Sequence, residues 1–216
     1  MKKGLVELVF ILDRSGSMSG LEKDTIGGFN SLLERQKKQD GEATVTTVLF
    51  DDKYELLHDR INLAGIAPIT DRDYYVRGST ALLDAIGRTI DKISNAQKHT
   101  AEDARAETVM VVITTDGQEN ASREYSHDKI KAMIERQKEK YGWEFLFIGA
   151  NIDAVGTAAK MGIAADRAAN YKADAQGTAM VFGTASAAVA SKRAAPAAAL
   201  SPQWSRAIDE DYKSRT

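Results

Sequence analysis

The 216-residue sequence contains no cysteine, which excludes both a disulfide framework and a thiolate metal site. Its three histidines, His58, His99 and His127, lie far apart and lack the short spacings of a histidine metal site. No apolar run approaches the roughly 20 residues that cross a bilayer. A net charge of -2 supplies no basic field for nucleic acid or an anionic membrane surface, so neither is expected as a partner. Leu5 to Leu12 follows two lysines, as the core of a secretory leader would. Glu7 interrupts that run, however, Asp13-Arg14 ends it, and no small-residue cleavage site follows. A buried strand is the better reading, and a cytoplasmic protein is expected.

What is present is an ordinary globular balance, 43% hydrophobic and 28% charged, in a chain long enough to bury a substantial core. LVELVFIL (residues 5–12) is apolar and rich in β-formers, the pattern of a central parallel strand covered on both faces. Residues 24–39 carry Ile26, Phe29, Leu32 and Leu33 at helical spacing. Gly27 and Gly28 each weaken that helix by roughly 1 kcal/mol, and close approach to a neighbouring backbone is the compensation expected. ATVTTVLF (43–50) and residues 54–61 flank the tight turn Asp51-Asp52-Lys53, which predicts a hairpin and an antiparallel edge strand.

Further strands are predicted over 108–114, 144–148 and 168–171, and further helices over 81–97, 127–140, 152–161 and 175–192. This alternation implies an α/β domain: a doubly wound, mostly parallel sheet with one antiparallel edge strand and helices on both faces. The domain is expected over residues 1–193. Residues 194–216 read as an alanine-rich C-terminal tail interrupted by Pro196. Trp204 in that tail suits docking onto the domain and docking onto a partner equally.

In such sheets ligands bind beyond the carboxyl ends of the strands, and three polar clusters fall there. Asp13-Arg14-Ser15-Gly16-Ser17 follows the first strand, Thr80 follows Gly78-Ser79 at the start of a helix, and Asp116-Gly117 follows the strand ending at Thr114-Thr115. Asp13, Ser15, Ser17, Thr80 and Asp116 are hard oxygen donors suited to Mg²⁺ or Mn²⁺. Alternate spacing lets the first three aim at one point. Two carboxylates only neutralise a dication, which leaves it able to accept an anionic oxygen, most naturally an Asp or Glu carboxylate of another protein.

Asp13-x-Ser15-x-Ser17, Thr80 in GSTALLDAIG and Asp116 in ITTDGQEN together resemble the metal-ion-dependent adhesion site (MIDAS) of von Willebrand factor A (vWA) domains. The resemblance spans residues 5–192. It implies a vWA (Rossmann-like) fold, a metal held by those five residues, and a non-enzymatic protein-binding module. It also implies coupling between ligand binding and the helix over 175–192. By analogy with bare domains of this family, an adaptor role beside an ATPase or in a stress-response complex follows.

Simpler structural roles are set against these readings. Asp, Ser and Gly are ordinary turn residues, and Thr80 suits a helix cap as well as a metal. Asp84 is expected on the helix surface or behind the site, Arg14 and Met18 as exposed flanks, and Asp51 and Asp52 as turn residues only. The alternative function is a metal-assisted phosphohydrolase on a similar sheet. Against it, Ser15 stands where a haloacid-dehalogenase-type enzyme has its second Asp, and no acid-base partner stands out. A third reading is a metal that merely holds the loops together.

Overall fold

The computed structural model describes residues 1–215. Six strands run in the order β3-β2-β1-β4-β5-β6, with β1 at Lys2–Asp13, β2 at Ala43–Phe50, β3 at Tyr54–Asn62, β4 at Ala106–Thr115, β5 at Glu144–Ala150 and β6 at Ala168–Tyr171. Only the β2–β3 pair is antiparallel, and it puts β3 at the sheet edge. The fold is therefore the doubly wound, mostly parallel sheet expected. Asp51 to Lys53 form the hairpin turn, closed by the Asp51 amide donating to the Lys53 carbonyl at 3.1 Å.

Strand β1 shows why both sheet faces are covered. Its side chains alternate between two cores: Val6, Leu8, Phe10 and Leu12 enter one, and Val9 and Ile11 the other. The first core is closed by α1 (Glu22–Lys37) and α5 (Ala175–Ala194), through Phe29, Leu32 and Leu33 of α1 and Val181, Phe182 and Val189 of α5. The second is closed by α2 (Leu82–His99), α3 (His127–Tyr141) and α4 (Ala154–Lys160), through Ile86, Ile90, Ile130, Ile134 and Ala158. At Gly28 the close neighbour is a side chain rather than the backbone expected: a Cβ there would lie 2.3 Å from the Phe182 ring, so glycine lets α1 and α5 approach this closely. Gly27 faces no such neighbour within 4 Å.

Beyond α5, a 3₁₀ turn at Pro202–Ser205 leads into α6 (Arg206–Ser214). Leu200, Trp204 and Ile208 join the first core, and the Trp204 indole donates to the Asp166 carbonyl at 2.8 Å. Trp204 thus docks onto the domain itself. Arg193, at the end of α5, donates to the carbonyls of Gln36 and Gly41 and so satisfies acceptors at the end of α1. Among the described residues no helix is long and apolar enough to cross a membrane.

Candidate metal centre

The register of the central strands sets the site. Leu12 pairs with Thr114, so β1 and β4 end side by side and release Asp13 and Asp116 at the same edge. The connection into α2 is tied to both loops by backbone bonds. The Gly16 amide donates to the Gly78 carbonyl at 3.1 Å, and the amides of Asn120 and Ala121 donate to the Thr80 carbonyl at 3.0 and 3.2 Å. The Thr80 amide in turn donates to the Asn120 side chain at 2.9 Å. Gly117 shows how closely the hydroxyls converge, since a Cβ there would lie 3.0 Å from Ser17 Oγ and 3.2 Å from Thr80 Oγ1.

The carboxylates are held by neutral donors alone. Asp13 Oδ1 accepts the Ser15 amide at 2.7 Å, and its Oδ2 accepts the Thr115 hydroxyl at 2.5 Å. The Ser15 and Ser17 hydroxyls lie 3.1 Å apart, and Ser17 donates to Asp116 Oδ1 at 2.6 Å. Asp116 Oδ2 is buried without any partner. Burial pushes Asp13 up to about 6, and the negative charge of Asp116 adds to that rise. Burial also raises Asp116, against the opposing hydrogen bond from Ser17. Two buried carboxylates with one orphaned oxygen and no cation are costly as they stand.

That arrangement fits a divalent ion. The orphaned oxygen of Asp116, the carboxylate of Asp13 and the hydroxyls of Ser15, Ser17 and Thr80 form a set of hard donors with too few protons to satisfy it. Among the described residues no group of three or more acidic, histidine or cysteine side chains could hold a metal, so hydroxyls must complete any such site.

The structure thus gathers all five candidate residues, and it corrects several flanking expectations. Arg14 is not an exposed flank. It is fully buried, donating to Asp51 at 3.0 Å and to Glu55 at 2.5 Å, and so turns away from the carboxylates beside it. Met18 is buried too. Asp51 is more than a turn residue, because it also accepts Arg77 at 2.5 Å and, with Arg14, forms the buried part of an ionic cluster that reaches the surface through Arg77 and Glu55. Thr80 does not cap α2, whose cap position is Ala81 with no side-chain bond. Asp84 accepts the amides of Arg123, Glu124 and Tyr125 at 2.8, 2.9 and 3.0 Å, shaping the loop after β4 from behind.

Three supporting residues escaped the sequence reading. Thr115 was signalled only by its place beside Asp116 in ITTDG. Tyr74 donates to the Asp13 carbonyl at 2.5 Å from 61 residues away, and no local pattern announces it. Asn151 occupies the left-handed region at φ 56 and donates to the Asp116 carbonyl at 3.3 Å, a conformation asparagine tolerates better than most residues.

Comparison with known proteins places this architecture. No family model and no curated relative matches the sequence. Solved structures do match. Proximal thread matrix protein 1 from the mussel byssus aligns with TM-score 0.61 at 16% identity, over 87% of this chain and 46% of its own. A von Willebrand factor type A protein from Catenulispora acidiphila aligns with TM-score 0.58 at 14% identity, over 84% and 42%. Manganese-loaded TRAP protein from Plasmodium vivax aligns with TM-score 0.57 at 17% identity, over 84% and 73%. A further form of the mussel protein has zinc in its MIDAS motif and aligns with TM-score 0.56 at 13% identity, over 86% and 46%. The chain spans under half the length of the mussel and Catenulispora proteins. At these identities the likeness establishes the fold, which is that of vWA domains.

Proposed function

We propose that this chain is a non-enzymatic, metal-dependent protein-binding module that captures an Asp or Glu carboxylate of a partner. The observation that carries the proposal is the partnerless, buried Asp116 Oδ2 beside Asp13, in a ring of hydroxyls with no cation among the described residues paired to it. Asp13, Ser15, Ser17, Thr80 and Asp116 would hold Mg²⁺ or Mn²⁺. The ion would supply a Lewis-acid position for an external anionic oxygen. Manganese and zinc in two proteins of the same fold support a divalent ion here.

The residues of the chain divide the remaining work. Ser15 and Thr115 orient the Asp13 carboxylate, Ser17 orients that of Asp116, and the backbone bonds of Gly16 and Thr80 keep the three loops in register. Arg14, fixed on Asp51 and Glu55, cannot swing in to neutralise the site. Ser17 is exposed, and so opens the site to a partner on one side. The phosphohydrolase reading is disfavoured by Ser15, which stands where such an enzyme has its second Asp. A cytoplasmic adaptor role beside an ATPase or a stress-response complex belongs to this proposal by analogy.

The test is an array of short peptides with single Asp or Glu residues, with matched Asn or Gln controls, probed by fluorescence in Mg²⁺ and in chelator. Binding to acidic peptides that needs both metal and the Asp13 carboxylate is the expected result. Binding that ignores chelation, or that Asp13→Ala retains, overturns the proposal.

A further inference from the structure

Away from the three loops of the metal centre, the opposite end of the sheet opens a groove of about 590 Å³ between α2, α3 and the start of β4. That size lies within the range of pockets that hold small organic ligands. Ile90, Val109, Met133 and Trp143 give it apolar walls.

Charge makes the groove distinctive. Lys98, Arg105, Arg136 and Lys140 all line it, and none forms an ion pair among the described residues. The two carboxylates that also line it are outnumbered by these four cations and pair with neutral donors. Asp91 accepts the Tyr125 hydroxyl at 2.7 Å, and Glu107 accepts the Gly4 amide at 2.6 Å.

Lys140 is explained by its place in the last turn of α3, and Lys98 by the last turn of α2, where cations complement the helix dipole. Arg105 and Arg136 lie outside those turns; Arg105 donates to the Thr100 carbonyl at 3.1 Å and Arg136 to the Tyr141 hydroxyl, but neither meets a countercharge among the described residues. Two donors in the walls are unsatisfied as well: the Arg105 Nε and the Thr108 hydroxyl have no hydrogen-bond partner.

We propose that this groove binds small organic anions with an aromatic or apolar body, through Arg105 and Arg136 at the anionic head and the apolar walls around the body. The site is separate from the metal centre and functions without it.

The probe is anilinonaphthalenesulfonate, titrated by fluorescence in the presence of chelator so that the metal centre plays no part. Its neutral analogue N-phenylnaphthylamine reports the apolar walls alone. Saturable binding of the sulfonate is expected, weakened about tenfold by Arg105→Gln, the loss of one charge-assisted contact, and by more than about tenfold by Arg136→Glu, which also sets a like charge beside the anion. The neutral analogue should bind at least about tenfold more weakly than the sulfonate. Arg136 is exposed on its helix, so Arg136→Glu keeps the fold even where Arg105→Gln disturbs it. Absence of saturable binding, equal affinity for the neutral analogue, or unchanged affinity in folded Arg136→Glu overturns the proposal.

Discussion

Strand β1 buries two carboxylates, Glu7 at its middle and Asp13 at its end, and the chain treats them in opposite ways. Glu7 is supplied with a cation: Arg60 donates to it at 2.8 Å and Gln97 completes it from α2. Burial still raises its pKa and so disfavours ionisation, with Arg60 as the main opposing influence. Asp13 is given only an amide and a hydroxyl, while a second carboxylate, Asp116, stands close enough to raise it further. The cation nearest in sequence, Arg14, is committed to Asp51 and Glu55. A buried acid with its own countercharge is structural. Two buried acids without one call for a countercharge from outside.

The largest effect that would sharpen this contrast is a pH dependence. Asp13 moves from an ordinary 3.8 to about 6 in the folded chain, so the folded state holds its proton more tightly than the unfolded one. Metal-free stability is therefore greatest below the unfolded value and falls as pH rises through about 6. A shift of this size is worth about 3 kcal/mol. Urea unfolding in chelator at a series of pH values should show the decline, and saturating Mg²⁺ should remove it. An identical decline with and without Mg²⁺ would break the comparison.

The Glu7 site should respond differently. Arg60→Ala strands a buried carboxylate and should cost about 2 kcal/mol at neutral pH, discounted for the partial exposure of Arg60. Glu7→Gln in that background should recover most of the loss in the same unfolding assay. Asp116→Asn removes one of two uncompensated charges, so it should raise metal-free stability by about 1 kcal/mol while metal binding is lost. A smaller change in stability is expected of Gly117→Ala, whose Cβ would press on Ser17 Oγ and Thr80 Oγ1. Its metal affinity should nonetheless fall about tenfold by calorimetry.

Much of this was legible in the sequence because it is local. LVELVFIL reads as a strand covered on both faces, the Asp51-Asp52-Lys53 turn reads as a hairpin, and the three oxygen-rich loops follow the strands expected to present them. What escaped depends on distant pairing. Glu7 interrupts an apolar run for no visible reason until Arg60 and Gln97 arrive from other elements. Arg14 reads as a surface flank because its acceptors lie 37 and 41 residues away on the hairpin. The helix α6 follows alanine-rich sequence, and its apolar anchors in the first core, Leu200, Trp204 and Ile208, are widely spaced. Its polar ties to Asp174 and Gln176 come from the start of α5. Tyr74 and Asn151, which hold the backbone of the two acidic loops, carry no local signature at all.

The central claim is that Asp13 and Asp116 stay uncompensated until a divalent ion arrives, and isothermal calorimetry tests it most directly. Mg²⁺ and Mn²⁺ are titrated into the wild-type chain, Asp13→Ala and Asp116→Asn at neutral pH. Saturable binding of one ion per chain to the wild type, absent from both variants, is the predicted result. No heat with the wild type, or equal binding in the variants, would contradict the account.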